Sequence, residues 1–263
     1  MSPAASSHAA FLLSPSQTRY QAFKAVLPSI GLPSVRWLDV RQSDAANEGR
    51  LGSASAPAAH RHHRAVLLAH AYAVELARAE GASTALIFED DARTSTCDYP
   101  IKMQRLAQAL QMLTQSTQPL VLRLGYNPWP RDAAGQQLTS CGCNLSYIAD
   151  VRGLVRATAG CNLRGAAAWA INRAAFLPFL RRVNRTSATA RDSIDLTIAR
   201  RFDNLLLTPP LFFQEQGRKT ADHSRNYCSF RGRCGLPAVS AVLSDSWQRT
   251  MCIDTSHTQT PAC

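Results

Sequence analysis

Three acidic residues in a row, Glu89, Asp90 and Asp91, are the strongest chemical signal in the sequence. They follow the apolar run Thr84 to Phe88, which is typical of a central strand covered on both sides. Ligands of open α/β sheets bind beyond the carboxyl ends of the strands, where adjacent carboxylates repel each other unless a cation or hydrogen-bond donors offset their charge.

A hard divalent ion meets that need. Mg²⁺ and Mn²⁺ take oxygen ligands, use one or two protein carboxylates and bridge to substrate phosphates. The triplet therefore predicts a metal site with Glu89 and Asp91 as ligands and Asp90 turned away. The alternative is a solvated acidic turn, because short motifs give many false positives.

The composition predicts a globular protein with phosphate-bearing partners. The chain has 263 residues, 46% of them hydrophobic, enough for one large α/β domain or two small ones. Its net charge of +11 favours an anionic partner. The basic residues are dispersed, as in Arg181-Arg182 and Arg200-Arg201, and form no aromatic-interleaved tract that would follow a nucleic-acid backbone. Nucleotide and sugar phosphates fit this pattern as well as nucleic acid does.

The chain shows no targeting signal. It has no apolar run approaching the roughly 18 residues of a membrane span, and Met1 to Ala10 lacks a basic start. These features predict no membrane span and a cytoplasmic location, with the secretory lumen as the alternative. The eight cysteines are then expected to be free thiols, with the C-terminal segment as the place for an exception. The cluster His60 to Arg64 is interpreted as the basic start of a helix near donor phosphates, and zinc is a distant second.

Strand-like and helix-like segments alternate, which predicts an α/β fold with a mostly parallel sheet. Predicted strands are Ala9–Leu13, Val35–Val40, Thr84–Phe88, Leu120–Leu124 and Gly165–Ile171. Predicted helices begin near Ser14 or Ser16, His62, Ile101, Arg173 and Asp192. Predicted loops are Ser43–Ala59 and Asn127–Cys143. The periodicity fades after His223, so the expected domain covers residues 9–225 and a Cys-containing tail covers residues 226–263.

Motifs on both sides of the acids carry a family resemblance. Leu86-Ile-Phe-Glu-Asp-Asp-Ala92 closely resembles the Glu-Asp-Asp signature of glycosyltransferase family 25, which includes LPS and collagen galactosyltransferases. Phe11 to Arg19 resembles the family's opening strand, which ends in Asn-Leu-Asp with an Arg downstream. Here Leu12 and Ser14 replace the Asn and Asp, while Arg19 is kept.

Later landmarks follow in the family's order. Ala69-His70 resembles its Ser-His helix, and Leu120 to Gly125 resembles a strand that ends in Leu-Gly. Gly165 to Ala175 resembles its small-residue strand and helix, and Leu207 to Gln214 its Pro-rich segment. The resemblance covers about Phe11 to Ser224.

The resemblance implies a single-domain GT-A-like fold, a mixed, mostly parallel sheet flanked by helices. It also implies an acidic DxD-type metal motif, Mn²⁺ (or Mg²⁺), and an inverting hexosyltransferase that uses a UDP-sugar, commonly UDP-galactose. The acceptor would be a glycan or protein hydroxyl. Inversion requires one carboxylate as base. Asp195 is the expected base and Asp192 the second choice, against the alternative of a first-turn helix acid.

The resemblance and the predicted edge also suggest donor contacts. Arg19, Asp39, His70 and Asp90 are the expected donor-binding residues, and His223 is an expected further metal ligand. Each has a structural alternative: a surface arginine or histidine, a turn former, or a packed core histidine. Arg218 and Lys219 are expected near the diphosphate.

Two other classes remain open at this point. A metal-dependent phosphoesterase would release phosphate from simple esters without a sugar acceptor. A basic nucleic-acid-binding protein would show steeply salt-dependent binding that survives loss of the acids, and the dispersed charge disfavours it.

Overall fold

The computed structural model describes ten stretches of the chain. They are residues 8–26, 35–41, 58–93, 99–127, 145–148, 154–157, 159, 164–185, 193–207 and 211–214. None of the helices in these stretches is long and apolar enough to cross a membrane.

Ten strands and five helices lie in the described residues. The strands are β1 (His8–Ser14), β2 (Arg36–Asp39), β3 (Thr84–Glu89), β4 (Ala92–Arg93), β5 (Leu120–Asn127), β6 (Leu145–Tyr147), β7 (Leu154–Ala157), β8 (Arg164–Asn172), β9 (Asp203–Leu207) and β10 (Phe213–Gln214). The helices are α1 (Gln17–Val26), α2 (Ala58–Ala79), α3 (Tyr99–Gln115), α4 (Arg173–Arg185) and α5 (Ile194–Arg201).

Eight strands form one mixed sheet in the order β2-β1-β3-β8-β5-β9-β7-β6, and β4 pairs with β10 beside it. Strands β1, β2 and β3 are parallel, as are β5 and β9. Strand β8 is antiparallel to both of its neighbours, and β7 is antiparallel to both of its own. Six strands therefore run in one direction and two in the other. The predicted α/β class with a mostly parallel, mixed sheet is confirmed.

Helices cover both faces of the sheet, so its central strands are apolar on both sides. In β3, Ala85 and Ile87 join the core under α2, α4 and α5, whereas Leu86 and Phe88 join the core under α1 and α3. This alternation follows from the two-residue period of a strand. Thr84 to Phe88 is thus the doubly covered strand that its composition predicts.

Most predicted elements appear with shifted ends. Helix α2 already begins at Ala58, so the predicted loop Ser43–Ala59 ended two residues too late. That helix stops before Gly81, whose φ of 72° is the left-handed conformation favoured by glycine at helix ends. Strands β4, β6, β7 and β10 were not predicted, because each has only two to four residues. Most of the predicted loop Asn127–Cys143 lies outside the described residues.

Candidate active site

The carboxyl ends of β1, β2 and β3 lie side by side and form what is called here the carboxyl edge. In the register of these strands Leu13 lies beside Glu89, and Ser14 lies beside Asp39. Strand β8 runs antiparallel to β3, so its N-terminal end at Gly165 reaches the same edge. Residues from distant parts of the chain meet here.

Asp90 faces the end of β1 and the start of α1. Its Oδ2 atom accepts hydrogen bonds from the Ser14 hydroxyl at 2.9 Å and from Arg19 Nη1 at 3.2 Å. The Ser14 Oγ atom also accepts the Ser16 N–H at 2.9 Å, and the Ser16 carbonyl is a second acceptor for the Ser14 hydroxyl at 3.1 Å. The Arg19 side chain is 58% exposed. A carboxylate at position 14 would lie against Asp90 and repel it, whereas the serine supplies a hydrogen-bond donor.

Glu89 is held from inside the core by two aromatic side chains. Its Oε1 atom lies 3.0 Å from His70 Nε2, and His70 Nδ1 lies 3.1 Å from Trp169 Nε1. His70 and Trp169 are fully buried, whereas 21% of the Glu89 side chain is exposed. The three side chains therefore form a hydrogen-bonded row from the core to the carboxyl edge.

Arg123, in the middle of β5, is a fully buried guanidinium. It donates from Nε to Asn204 Oδ1 at 3.1 Å, from Nη1 to the Gly165 carbonyl at 2.8 Å and from Nη2 to the Asp195 carbonyl at 3.0 Å. Burial lowers its pKa to about 10, while the negative charge of Asp195 opposes that change. Arg123 thus ties the start of β8 to the first turn of α5.

Asp195 is a partly buried carboxyl in that first turn. Its pKa is raised, first because burial disfavours the ionised form, and the negative charge of Glu89 adds to the effect. The Arg123 guanidinium, a hydrogen bond from the Gly165 N–H and His70 act in the opposite direction. Asp195, Glu89, His70 and Arg123 therefore form one electrostatically coupled group at the carboxyl edge.

Asp39 ends β2 at the same edge and is paired with Arg41. The guanidinium and the backbone N–H of Arg41 both bond its carboxylate, at 2.7 to 3.2 Å, and they lower the pKa of Asp39. Asp39 is thus paired with Arg41, and Arg19 is paired with Asp90.

The fit of a metal ion can be tested on the acids themselves. Among the described residues, no group of three or more His, Cys, Asp or Glu side chains could hold a metal ion. Mg²⁺ and Mn²⁺ do not require such a group, since substrate phosphates and water complete their coordination around one or two carboxylates. Glu89 and Asp91 are both partly exposed on either side of Asp90. An ion held by these two partly exposed carboxylates would take its remaining ligands from a diphosphate.

Several predicted residues lie outside the described part of the chain: Asp192, His223, Arg218, Lys219 and all eight cysteines. Of the basic cluster at the start of α2, His62 and His63 are exposed. Arg64 is buried and donates from Nη1 to the Val183 carbonyl in α4 at 3.0 Å.

Arg123, Trp169 and Ser14 were not predicted as site residues. Arg123 had a usable signal, because a charged residue inside the apolar run Leu120 to Leu124 needs buried partners. Trp169 stands alone among small residues in β8, and nothing in its neighbourhood points to a histidine 99 positions away.

No protein-family model matches the chain, and no curated protein matches its sequence. Among solved structures, the chain is similar to the crystal structure of mannose-1-phosphate geranyltransferase from Thermus thermophilus, with a TM-score of 0.41 and 13% identity over 76% of this chain and 74% of that one. A likeness of this degree carries no information about activity. The function has to be inferred from the site's own residues.

Proposed function

We propose that the protein is a metal-dependent glycosyltransferase that moves a hexose, with galactose as the favoured sugar, from a UDP-sugar to an acceptor hydroxyl with inversion. One observation carries the proposal. Glu89 at the end of β3 and the partly buried Asp195 are close enough for the Glu89 charge to raise the pKa of Asp195, and they lie at the carboxyl edge, where ligands of α/β sheets bind. One of these acidic groups can face a metal–diphosphate complex, and the other can accept a proton.

Asp195 is proposed as the base. In an inverting transfer the acceptor oxygen forms a bond to the anomeric carbon while the bond from that carbon to the diphosphate oxygen breaks, and the acceptor proton goes to the base. A carboxylate with a raised pKa accepts this proton more readily than an ordinary surface acid. Arg123 fixes the backbone on both sides of that carboxylate through the Gly165 and Asp195 carbonyls.

Glu89 and Asp91 are proposed to face the donor diphosphate together with Mn²⁺ or Mg²⁺. When bound, a divalent ion offsets the charge that develops on the departing nucleoside diphosphate. Asp90, fixed by Ser14 and Arg19, keeps the turn between these two acids in place.

Basic side chains beyond the carboxyl edge favour an anionic substrate. The hydrogen bond between His70 and Glu89 places His70 level with the carboxyl edge. Each residue of α2 before His70 therefore lies about 1.5 Å further beyond that edge. The first turns of α2 carry Arg61, His62 and His63. The Arg64 contact with Val183 joins them to the end of α4, which carries the exposed Arg181 and Arg185. The positive charges of the arginines attract a negatively charged donor toward the acids.

The test is Mn²⁺-dependent turnover of a panel of nucleotide sugars by the wild type and by Asp91→Asn. The wild type should turn over at least one donor, and the variant should be slower by on the order of a hundredfold. Asp203→Asn is the matched control, because Asp203 starts β9 at the opposite edge and pairs with Arg156 there. Equal turnover by wild type and Asp91→Asn, or no donor turned over, would refute the proposal.

Two further assays on the same proteins separate the other two classes. Phosphate release from simple esters at a rate above donor turnover would favour a phosphoesterase. Salt-dependent nucleic-acid binding that is unchanged in Asp91→Asn would favour a nucleic-acid-binding protein.

A further inference from the structure

Trp169, His70 and Glu89 form a hydrogen-bonded row, and their order fixes the tautomer of His70 in the middle. An indole N–H is only a donor, so at 3.1 Å the Nδ1 atom of His70 must be the acceptor. The proton of a neutral imidazole then sits on Nε2, which lies 3.0 Å from Glu89 Oε1 and donates to it. His70 is therefore held as one tautomer.

Packing locks the two rings as firmly as the hydrogen bonds do. Trp169 lies against His70 with ring centroids 5.7 Å apart and against Phe179 at 5.6 Å. Both ring systems are fully buried, so neither can exchange its partner for water. Glu89 is the partly exposed end of the row. Its carboxylate accepts a hydrogen bond from His70, whose position is set by α2 and by Trp169 in β8.

We propose that Trp169 and His70 are positioning residues: the indole N–H selects the Nε2–H tautomer of His70, and that N–H holds the Glu89 carboxylate in the orientation in which it faces a divalent cation. This inference rests on the proposed function for the identity of the ligand. It assigns His70 a role on Glu89, whereas the sequence suggested a direct donor contact.

The hydrogen bonds of His70 differ from those of a core histidine with a purely structural role. Such a histidine commonly ends its hydrogen bonds on backbone carbonyls, but the described partners of His70 are an indole and a partly exposed acid at the carboxyl edge. A hydrogen bond to one carboxylate oxygen fixes the plane of the group and leaves the direction of its other oxygen defined. Residues that orient metal ligands in this way typically change metal affinity by 10- to 100-fold when they are replaced.

Two substitutions at position 70 each keep one half of the row. The amide of Gln reaches about as far as Nε2, so His70→Gln keeps a donor for Glu89 and loses the acceptor for Trp169. The amide of Asn reaches about as far as Nδ1, so His70→Asn keeps the acceptor and loses the donor. Each variant loses one buried hydrogen bond, and a purely structural role predicts that they behave alike.

Mn²⁺ affinity, measured by electron paramagnetic resonance in the presence of UDP, separates the two roles. We expect His70→Gln to stay within about twofold of the wild type and His70→Asn to bind Mn²⁺ on the order of tenfold more weakly, at similar thermal stability. Equal weakening of both variants, or the reverse order, would overturn the proposal.

Nitrogen-15 NMR of labelled histidine tests the row without metal or donor. His70 should be the Nε2–H tautomer at neutral pH in the wild type and should hold that preference less strongly in Trp169→Phe, where only the Glu89 carboxylate selects it. An Nδ1–H tautomer or an imidazolium in the wild type would overturn the proposal even if the enzyme transfers sugar. Failure of the wild type to bind Mn²⁺ would refute the proposed function and the cation-facing role of Glu89, whereas the tautomer would still decide whether Trp169 fixes His70.

Discussion

Replacement of Arg123 by Met removes the only described contacts that hold β5, β8 and α5 together through a charge. One buried and two partly buried acceptors lose their donor, and each such loss costs about 1–3 kcal/mol, or roughly 3–9 kcal/mol together as an upper range. The variant also no longer buries a guanidinium, and a pKa lowered to about 10 corresponds to roughly 3 kcal/mol of unfavourable burial. We therefore expect Arg123→Met to lower the free energy of unfolding by about 3 kcal/mol.

Scanning calorimetry and urea unfolding measure this loss. For a domain of this size, about 3 kcal/mol lowers the Tm by roughly 6–12 °C. Arg156→Met is the control, because the partner of the Arg156 guanidinium among the described residues is the Asp203 carboxylate on the surface, at 2.6 Å, and such a pair contributes below about 1 kcal/mol. Equal Tm values for the two variants would refute the assignment of a structural role to the buried guanidinium.

The same variant should also change the pH dependence of catalysis. The Arg123 charge lowers the pKa of Asp195, so its removal raises that pKa further. A base must be ionised to accept a proton, so the acidic limb of kcat/KM against pH should move to higher pH when measured well below the Tm. A limb that stays in place or moves down would show that the two charges are not coupled as the geometry requires.

Three further predictions concern the site and the packing of the fold around it. Asp195→Asn should lower transfer at least about a hundredfold without loss of stability at pH 7. Burial raises the pKa of Asp195, so the wild type should lose stability relative to this variant as the pH rises from roughly 4 through that pKa in urea unfolding, and the opposite slope would contradict the assignment. Glu89→Gln should lower the pKa of Asp195 in a carbon-13 NMR titration, since the Glu89 charge raises it, and an unchanged value would argue against their proximity. Gly125→Ala should cost about 1–3 kcal/mol, because the new Cβ would lie 3.0 Å from the Phe212 carbonyl oxygen. Gly81→Ala, which has open space but a φ of 72°, should cost about 1 kcal/mol, and a larger urea-measured loss there would refute the packing argument.

The sequence predicts elements better than it predicts their partners. The helices and the apolar strands were visible from local periodicity and from the stop at Gly81. The predicted stop at Gly125 was wrong, because β5 continues through it to Asn127. Their neighbours were not, because β8 pairs with strands that lie about 40 and 80 residues earlier in the chain. The antiparallel direction of β8 therefore had no local signal.

The site divides in the same way. Glu89, Asp90 and Asp91 are adjacent in the sequence, so an acidic cluster could be predicted without knowledge of the fold. The partners of the site's acidic residues could not be predicted, because Ser14 lies 76 positions from Asp90 and Arg123 lies 72 positions from Asp195. Only the sheet brings them together.

The place of β8 in the sheet has a consequence for biosynthesis. Both strand partners of β5, which are β8 and β9, follow it in the chain, and β8 also closes the open side of β3. A growing chain that has not yet reached Arg164 therefore carries β5 without a neighbour and β3 with one bare side. Both are apolar edges that invite association with other chains. We expect fragments that end before Arg164 to aggregate during synthesis and to depend on chaperones, whereas chains extended past Leu207 can close the sheet.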